Sequence, residues 1–304
     1  MNTRIAILLA MLVSWNAQAG GVIVTWENDV FLDKDDNYTQ GLELSLSDVG
    51  KNKDGILEKE VWGWRSRMYT PDDIANPTNQ PDDRPWAGVT TVYHERTKKV
   101  GDDAAMTGWE IGILGPESGA EYMQETVHRW TGSTTPMGWS NQVPNEVSAQ
   151  YYWTYYDSMA SLGTPGKWML DLETPYGYCG GTTFDNIFAG LGVRAGWNIP
   201  PLHYGGDIAP KAILPKPFAY LLADGSGKYV LHNATLGHSF FRSYEDSQWD
   251  RDLIPFVGEY HYGVCAGYKN FAVTYLLGFR TCEFEGQPDP FSWATLRLEF
   301  GTAF

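Results

Sequence analysis

Ser292-Trp293-Ala294-Thr295-Leu296-Arg297-Leu298-Glu299-Phe300-Gly301-Thr302-Ala303-Phe304 ends the chain. Ala294, Leu296, Leu298 and Phe300 fall on one side of an extended segment, Thr295, Arg297 and Glu299 on the other, and the parity runs on to Phe304. Successive side chains of a strand point to opposite faces, so this stretch predicts a strand with one apolar and one polar face.

Working outward from it, the same period recurs. Phe271–Arg280 carries Phe271, Val273, Tyr275, Leu277 and Phe279 on one face. Asn186–Asn198 alternates Ile187, Ala189, Leu191, Val193, Ala195 and Trp197 with three glycines and an arginine. Tyr38–Val49 sets Leu42, Leu44 and Leu46 against Glu43, Ser45 and Ser47. Further strands are predicted at Gly21–Trp26, Trp86–Lys98, Thr107–Leu114, Val147–Tyr156, Lys167–Thr174 and Leu253–Gly267. Phe218–Ala223 and Lys228–Gly237 read as a hairpin around Asp224-Gly225-Ser226-Gly227. Residues 50–83 and Pro200–Pro217 read as long loops, rich in Asp, Asn and Pro or in Pro alone.

The tally is about twelve strands, many near the ~9–11 residues that a tilted membrane strand needs, and no apolar run approaches the ~18 residues of a membrane helix. Mean hydropathy is −0.34, with 33 Gly, 18 Tyr and 13 Trp. A closed barrel crosses a bilayer without a hydropathy signal, because outward apolar and inward polar residues average out. The fold expected is all-β: a transmembrane antiparallel β-barrel of about twelve strands, with one short helix. A secreted β-sandwich would also alternate, and for it the terminal Phe would be coincidence.

Arg4, an apolar run from Ile5 to about Trp15, and Ala17-Gln18-Ala19 make residues 1–19 an export signal, leaving 20–304 as one barrel domain. No cysteine follows the cut. The net charge of −15 argues against nucleic acid, whose phosphates reward Lys and Arg. It is compatible with a polar lumen and with acidic loops around a divalent cation. Cys179, Cys265 and Cys282 are too few for a disulfide framework, and lie in no metal-ligand spacing. Cys265 and Cys282 sit in neighbouring predicted strands, where pairing stays open.

One segment breaks the period of two. In Gly115–Gly132, Ser118 and Glu121 have the spacing of a capping box, and Gly132 stands where a left-handed helix cap belongs. Met123, Val127 and Trp130 form an apolar stripe; Glu121, Gln124, Glu125 and His128 share the other side. Histidine is the side chain whose ordinary pKa suits proton transfer near neutrality. A surface helix with a solvated His would show the same spacing.

Four more polar constellations stand out. Trp26-Glu27-Asn28-Asp29 offers hard oxygen ligands at the end of the first strand. Asn37-Tyr38-Thr39-Gln40-Gly41 brings a hydroxyl to the base of the second. Asp82-Asp83-Arg84-Pro85-Trp86-Ala87-Gly88 and Gly138-Trp139-Ser140-Asn141-Gln142-Val143-Pro144-Asn145-Glu146 lead into later strands. Asp33-x-Asp35-x-Asn37 begins like an EF-hand, but Tyr38 and Leu44 occupy the Gly and Glu positions, which excludes it. No Gly-x-Ser-x-Gly elbow and no His-x-x-x-His or Cys-x-x-Cys motif is present.

Glu27-Asn28-Asp29, Tyr38-Thr39-x-Gly41, Asp83-Arg84-x-x-Ala87-Gly88, Gly115-Pro116 through Gln124-x-x-x-His128-Arg129, and Trp139-x-Asn141-Gln142 occur in this order. Together they resemble the lipid A 3′-O-deacylase family of Gram-negative outer membranes. The match covers the first half of the exported chain; the second half matches only as barrel strands, and the terminal Phe resembles the ending that serves outer-membrane barrel assembly.

The resemblance implies a twelve-stranded barrel with its site near the outer leaflet, beside the helix after the fourth strand. It implies Ca²⁺-dependent hydrolysis of an acyloxyacyl ester of lipid A. His128 would be the general base, Asn28 and Asp29 would lie at the Ca²⁺, and Thr39 matches a site hydroxyl. The family pattern has a Lys where Pro81 stands and a Glu where Thr134 stands. Arg84 is then the candidate for the oxyanion role, and Glu125 or Glu121 for the metal. The partners implied are lipopolysaccharide in the outer leaflet and, in transit, the barrel assembly machinery. Two other readings are an outer-membrane esterase or phospholipase acting on another acylated lipid, and a barrel without chemistry.

Overall fold

The computed structural model describes residues 20–29, 37–51, 55–200, 216–242 and 248–301. The export signal, most of the Asp33–Asn37 and Pro200–Pro217 segments and the terminal Phe304 lie outside these residues. β1 (Gly20–Asn28), β2 (Asn37–Lys51), β3 (Leu57–Thr70), β4 (Ala87–Val100) and β5 (Asp103–Leu114) precede the helix α1 (Ala120–Thr131). β6 (Glu146–Gly163), β7 (Trp168–Gly181), β8 (Phe184–Trp197), β9 (Phe218–Asn233), β10 (Phe256–Tyr268), β11 (Phe271–Arg280) and β12 (Phe291–Gly301) follow. Each strand pairs antiparallel with the next, and β12 closes on β1 from Gly21↔Gly301 to Asn28↔Ala294. Closure leaves no strand edge unpaired, which the interior of a bilayer requires.

The strand number agrees with the sequence reading through two compensating differences. Leu57–Thr70, expected as loop, is β3. Phe218–Asn233, expected as a hairpin, is one continuous strand whose Asp224 is the register partner of His261 in mid-wall. In consequence α1 follows the fifth strand, where the fourth was expected.

The two faces of the wall differ in chemistry. Inward, the Arg65 guanidinium donates to Glu43 (3.1 Å) and Glu110 (3.3 Å), and the Tyr93 and Tyr152 hydroxyls donate to Glu43 (2.7 Å) and Glu95 (3.1 Å). Opposite them Glu259 accepts from Arg280 (2.6 Å) and Lys228 (3.0 Å), and His261 Nδ1 lies 3.0 Å from Asp224. A cavity of about 310 Å³ lies between, lined by residues of both networks. Charges removed from bulk water persist only when paired, which accounts for the reciprocal Arg–Glu arrangement.

Outward, the same strands present Leu42, Leu44 and Leu46 on β2 and Ile187 to Trp197 on β8. Tyr260 stacks on Phe279 at 4.9 Å and Phe256 meets Tyr229 at 4.9 Å, in the manner of a membrane aromatic girdle. The turns at 101–102 and 269–270 are short and share one end of the barrel. α1, the connection 71–86 and the described residues 234–242 and 248–255 lie at the other. In outer-membrane barrels the longer loops face outside.

Candidate active site on the outer wall

The site begins with a glycine. Gly88 belongs to the outward face of β4, opposite in parity to lumenal Tyr93 and Glu95. A Cβ there would lie 2.3 Å from Ser118 Oγ and 2.4 Å from Ala120 Cβ. Only glycine lets α1 rest against the wall, and it rests on the outside. Thr90, two residues on along the same face, donates to the Ser118 carbonyl at 2.8 Å.

The expected capping box does not form. Ser118 ends a 3-10 turn (Pro116–Ser118), and α1 starts after Gly119, whose φ of 77° puts it in the left-handed region without a side-chain cap. At the other end Gly132, at φ 76°, donates its N–H to His128 O, as its position predicts. The face assignment is reversed as well. The buried row is Ala120, Gln124 and His128, while Trp130 is 81% exposed and Tyr122 61%. A helix that turns an amide and an imidazole onto its support, leaving a tryptophan outside, has been arranged for something other than core packing.

Each member of that row is held. Trp139 Nε1, from a 3-10 turn at Trp139–Asn141, donates to Gln124 Oε1 at 2.7 Å, and its ring packs against Trp86 at 4.9 Å. Gln124 Nε2 is buried and has no hydrogen-bond partner among the described residues. His128 Nδ1 is hydrogen-bonded to the main-chain carbonyl of Thr134. A carbonyl only accepts, so Nδ1 carries the proton and the neutral ring keeps its lone pair on Nε2. The loop around Trp139 is pinned by Asn141 Nδ2 to Pro77 O (2.9 Å) and Val143 N to Trp86 O (2.9 Å).

The neighbouring strand ends bring the second half. Asn28, buried and on the outward parity of β1, donates through Nδ2 to Thr39 O at 2.9 Å. Asp29 beside it is fully buried. Between Asn37↔Thr70 and Gln40↔Met68 the β2–β3 register shifts, and this bulge re-aims Thr39 so that its hydroxyl meets Thr70 Oγ1 at 2.6 Å. Met68 joins the halves: it is the register partner of Gln40 and packs in one cluster with Ala120, Trp86 and Trp139.

Asn28 Oδ1 and the Asp29 carboxylate are hard oxygen donors of the kind Ca²⁺ takes. The donor chemistry of this pair fits the cation that the resemblance implies. Glu125 sits on α1, the helix that carries His128. It lies one residue off the buried row and half exposed, and no cluster of three or more His, Cys, Asp or Glu that could hold a metal forms among the described residues. Glu121 is exposed, its carboxyl pushed up by partial burial and by Glu125.

Arg84 goes elsewhere. Its guanidinium, completely buried, donates to Glu283 (2.7 Å) and Thr235 (3.1 Å) and covers the Tyr69 ring at 4.4 Å. Tyr69 faces the lumen, so Arg84 closes the barrel mouth and does not supply an oxyanion contact beside His128. Arg251 works alongside it, donating to Asp83 O (2.6 Å) and Gln80 O (3.0 Å). The three cysteines are free. Sequence reading did not single out Thr70, the Thr134 carbonyl or Gln124 as site groups; for Gln124 the signal was available, one turn before His128.

A family model described as "Outer membrane protein LpxR" matches residues 4–302. The structure of LpxR from Salmonella typhimurium superposes with a TM-score of 0.78 at 20% identity, covering 93% of this chain and 100% of that one. The β domain of the Bordetella autotransporter Brka gives 0.46 at 8% identity, over 94% and 98% of the two chains. No curated protein sequence matches.

Proposed function

The chain belongs to the LpxR family of outer membrane proteins, and from that premise we propose that it is a lipid A deacylase, hydrolysing the 3′-acyloxyacyl ester with His128 as general base and Ca²⁺ as cofactor. The observation that carries the reading is the buried row Gln124–His128, turned onto the outside of the barrel wall at its outer rim. A substrate that resides in the outer leaflet approaches from that side and never enters the lumen.

The chemistry follows from the donors and acceptors present. Ester hydrolysis needs a base for water and positive charge or N–H donors at the carbonyl oxygen. His128 Nε2, its tautomer fixed by the Thr134 carbonyl, takes a proton from water, and the resulting hydroxide adds to the ester carbonyl carbon. The imidazolium then returns the proton to the departing sugar oxygen. What Ca²⁺ supplies when bound is positive charge at the carbonyl oxygen. Asn28 and Asp29 would hold it, with Thr39 orienting Asn28 through its own carbonyl. Gln124 Nε2 is placed on the same helix face to donate toward developing negative charge, the role that Arg84 does not fill.

Purified protein in detergent micelles, mixed with lipid A, tests this. The expected result is release of the 3′ chain, abolished by His128→Gln and by a Ca²⁺ chelator and restored by added Ca²⁺. Hydrolysis that survives His128→Gln would overturn the assignment; phospholipid products with intact lipid A would move the substrate to another acylated lipid.

A further inference from the structure

The outer mouth of the barrel is filled by apolar side chains. Tyr69, Ala87, Leu114, Phe291 and Trp293 turn inward from the outer ends of β3, β4, β5 and β12 and are almost wholly buried. Val143, from the loop between α1 and β6, and Trp249, from the connection between β9 and β10, complete the same cluster. Tyr69 and Trp293 also line the charged cavity beneath, so the cluster is a plug set above it. On the other side of the wall lies the cluster under α1, with Met68, Trp86, Ala120 and Trp139. The register pair Met68↔Gly88 faces the helix, and the next pair, Tyr69↔Ala87, faces the plug. The two cores stand back to back, with one strand thickness between them.

One loop crosses from the first core to the second. Trp139 sits outside, under α1, where its indole N–H donates to Gln124 Oε1 at 2.7 Å. Val143, further along the same loop, is inside and fully buried in the plug, its N–H donating to Trp86 O at 2.9 Å. Between them the Asn141 carbonyl accepts from Trp249 Nε1 at 2.7 Å. Trp249 packs on the plug, so a side chain seated in the barrel mouth holds the turn that carries Trp139. An indole has few torsions to fix, and a single bond from it therefore sets position at low entropic cost.

We propose that Trp249 is a positioning residue for the ester hydrolysis, holding the Trp139–Asn141 turn from inside the barrel mouth. Trp139 in turn holds Gln124, one helical turn before His128, so the plug sets how the reacting face of α1 lies against the wall. The second half of the chain, which carries none of the ordered motifs, thereby takes part in the site. Its effect on turnover rests on the deacylase reading; the hold on the turn does not. A group that fixes orientation acts on the transition state more than on substrate binding, so its loss lowers kcat and leaves KM.

The test uses the full chain in detergent micelles with Trp249→Phe, which keeps an aromatic ring in the plug and removes the N–H donated to Asn141. Phe291→Leu is the control, because it disturbs the same plug through a side chain that makes no hydrogen bond. With isotope-labelled indoles, and the Trp139 signal assigned by Trp139→Phe, hydrogen exchange reads the Trp139 N–H directly. Its protection is expected to fall in Trp249→Phe and to persist in Phe291→Leu. Lipid A turnover is expected to lose kcat several-fold at unchanged KM in Trp249→Phe alone. Unchanged protection in Trp249→Phe would overturn the proposal, and so would an equal fall in both variants, the mark of a plug loosened as a whole. Lost protection with unchanged kcat would contradict the link to catalysis. Wild-type protein inert on lipid A would sink the deacylase reading, while the exchange result would still decide whether Trp249 holds the turn.

Discussion

His128 is hydrogen-bonded through Nδ1 to the backbone carbonyl of Thr134, six residues on and beyond the helix end. The group that orients the imidazole is therefore main chain, and a carboxylate side chain at position 134 is not needed for that purpose. Backbone carbonyls serve as orienters of functional histidines elsewhere. Thr134→Ala should leave turnover within roughly twofold, well short of the ~1.36 kcal/mol that a tenfold loss represents. A fall of tenfold or more in a steady-state assay would show that the threonine hydroxyl itself takes part.

Gly88 sets the height of α1 above the wall, since any Cβ meets Ser118 and Ala120 at less than 2.5 Å. Gly88→Val should displace the helix while the barrel stays closed. Misplacing a catalytic group by about 1 Å costs roughly 100-fold in rate. The check pairs turnover with the heat-dependent gel shift of a folded barrel; lost activity with an intact shift is the expected outcome.

Gln124 accepts from Trp139 at the floor of the site. Gln124→Leu leaves the buried indole N–H without that acceptor, at a cost of about 1–3 kcal/mol. It also removes the amide donor from the helix face. Trp139→Phe in the same background removes the orphaned donor and should restore most of the stability but none of the activity. Thermal unfolding and turnover measured on both variants separate the two roles.

Glu283 and Arg84 latch the barrel mouth. Burial raises the Glu283 carboxyl, but Arg84 and Arg280 outweigh it and hold the group below the usual carboxylate range. A carboxylate depressed in the folded state adds stability above its unfolded pKa of about 4, and that stability is lost as pH falls through the lower, folded value. Acid should therefore loosen this mouth below about pH 4, and Glu283→Gln should flatten the profile in that window. Arg84→Ala, which leaves buried Glu283 with Arg280 as its remaining cationic partner at 3.2 Å, should cost about 1–3 kcal/mol at neutral pH. Unfolding midpoints across pH for the three proteins decide it.

The barrel was legible where one face is uniformly apolar: Phe271–Arg280 is predicted and observed with the same bounds. β3 was not, because lumenal Arg65 and Arg67 and outward Glu58 and Glu60 put charge on both faces and erase the period. β9 looked like a turn because Asp224-Gly225-Ser226-Gly227 has turn chemistry, yet Asp224 is there to meet His261 inside the barrel. The helix inverted for a related reason. Amphipathic reasoning assumes that the apolar stripe packs inward, and here the support is an outer wall carrying polar site groups.

Motif order singles out Asn28, Asp29, Thr39 and His128, and the structure places Asn28 on the Thr39 carbonyl and His128 on the helix that rests on the same outer wall. Arg84 lies in the Asp83-Arg84 motif and carries the charge that an oxyanion contact needs, but charge does not say which side of a wall a residue faces, and its partners are Glu283 and Thr235. The Thr134 carbonyl leaves no mark in sequence at all.

Mass spectrometry of lipid A from Gram-negative cells expressing this chain, beside cells expressing His128→Ala, decides whether the barrel is a deacylase. Lipid A lighter by its 3′ acyloxyacyl group is expected with the native chain, and full-length lipid A with the variant. Identical spectra from the two strains, with both proteins folded in the outer membrane, would contradict it.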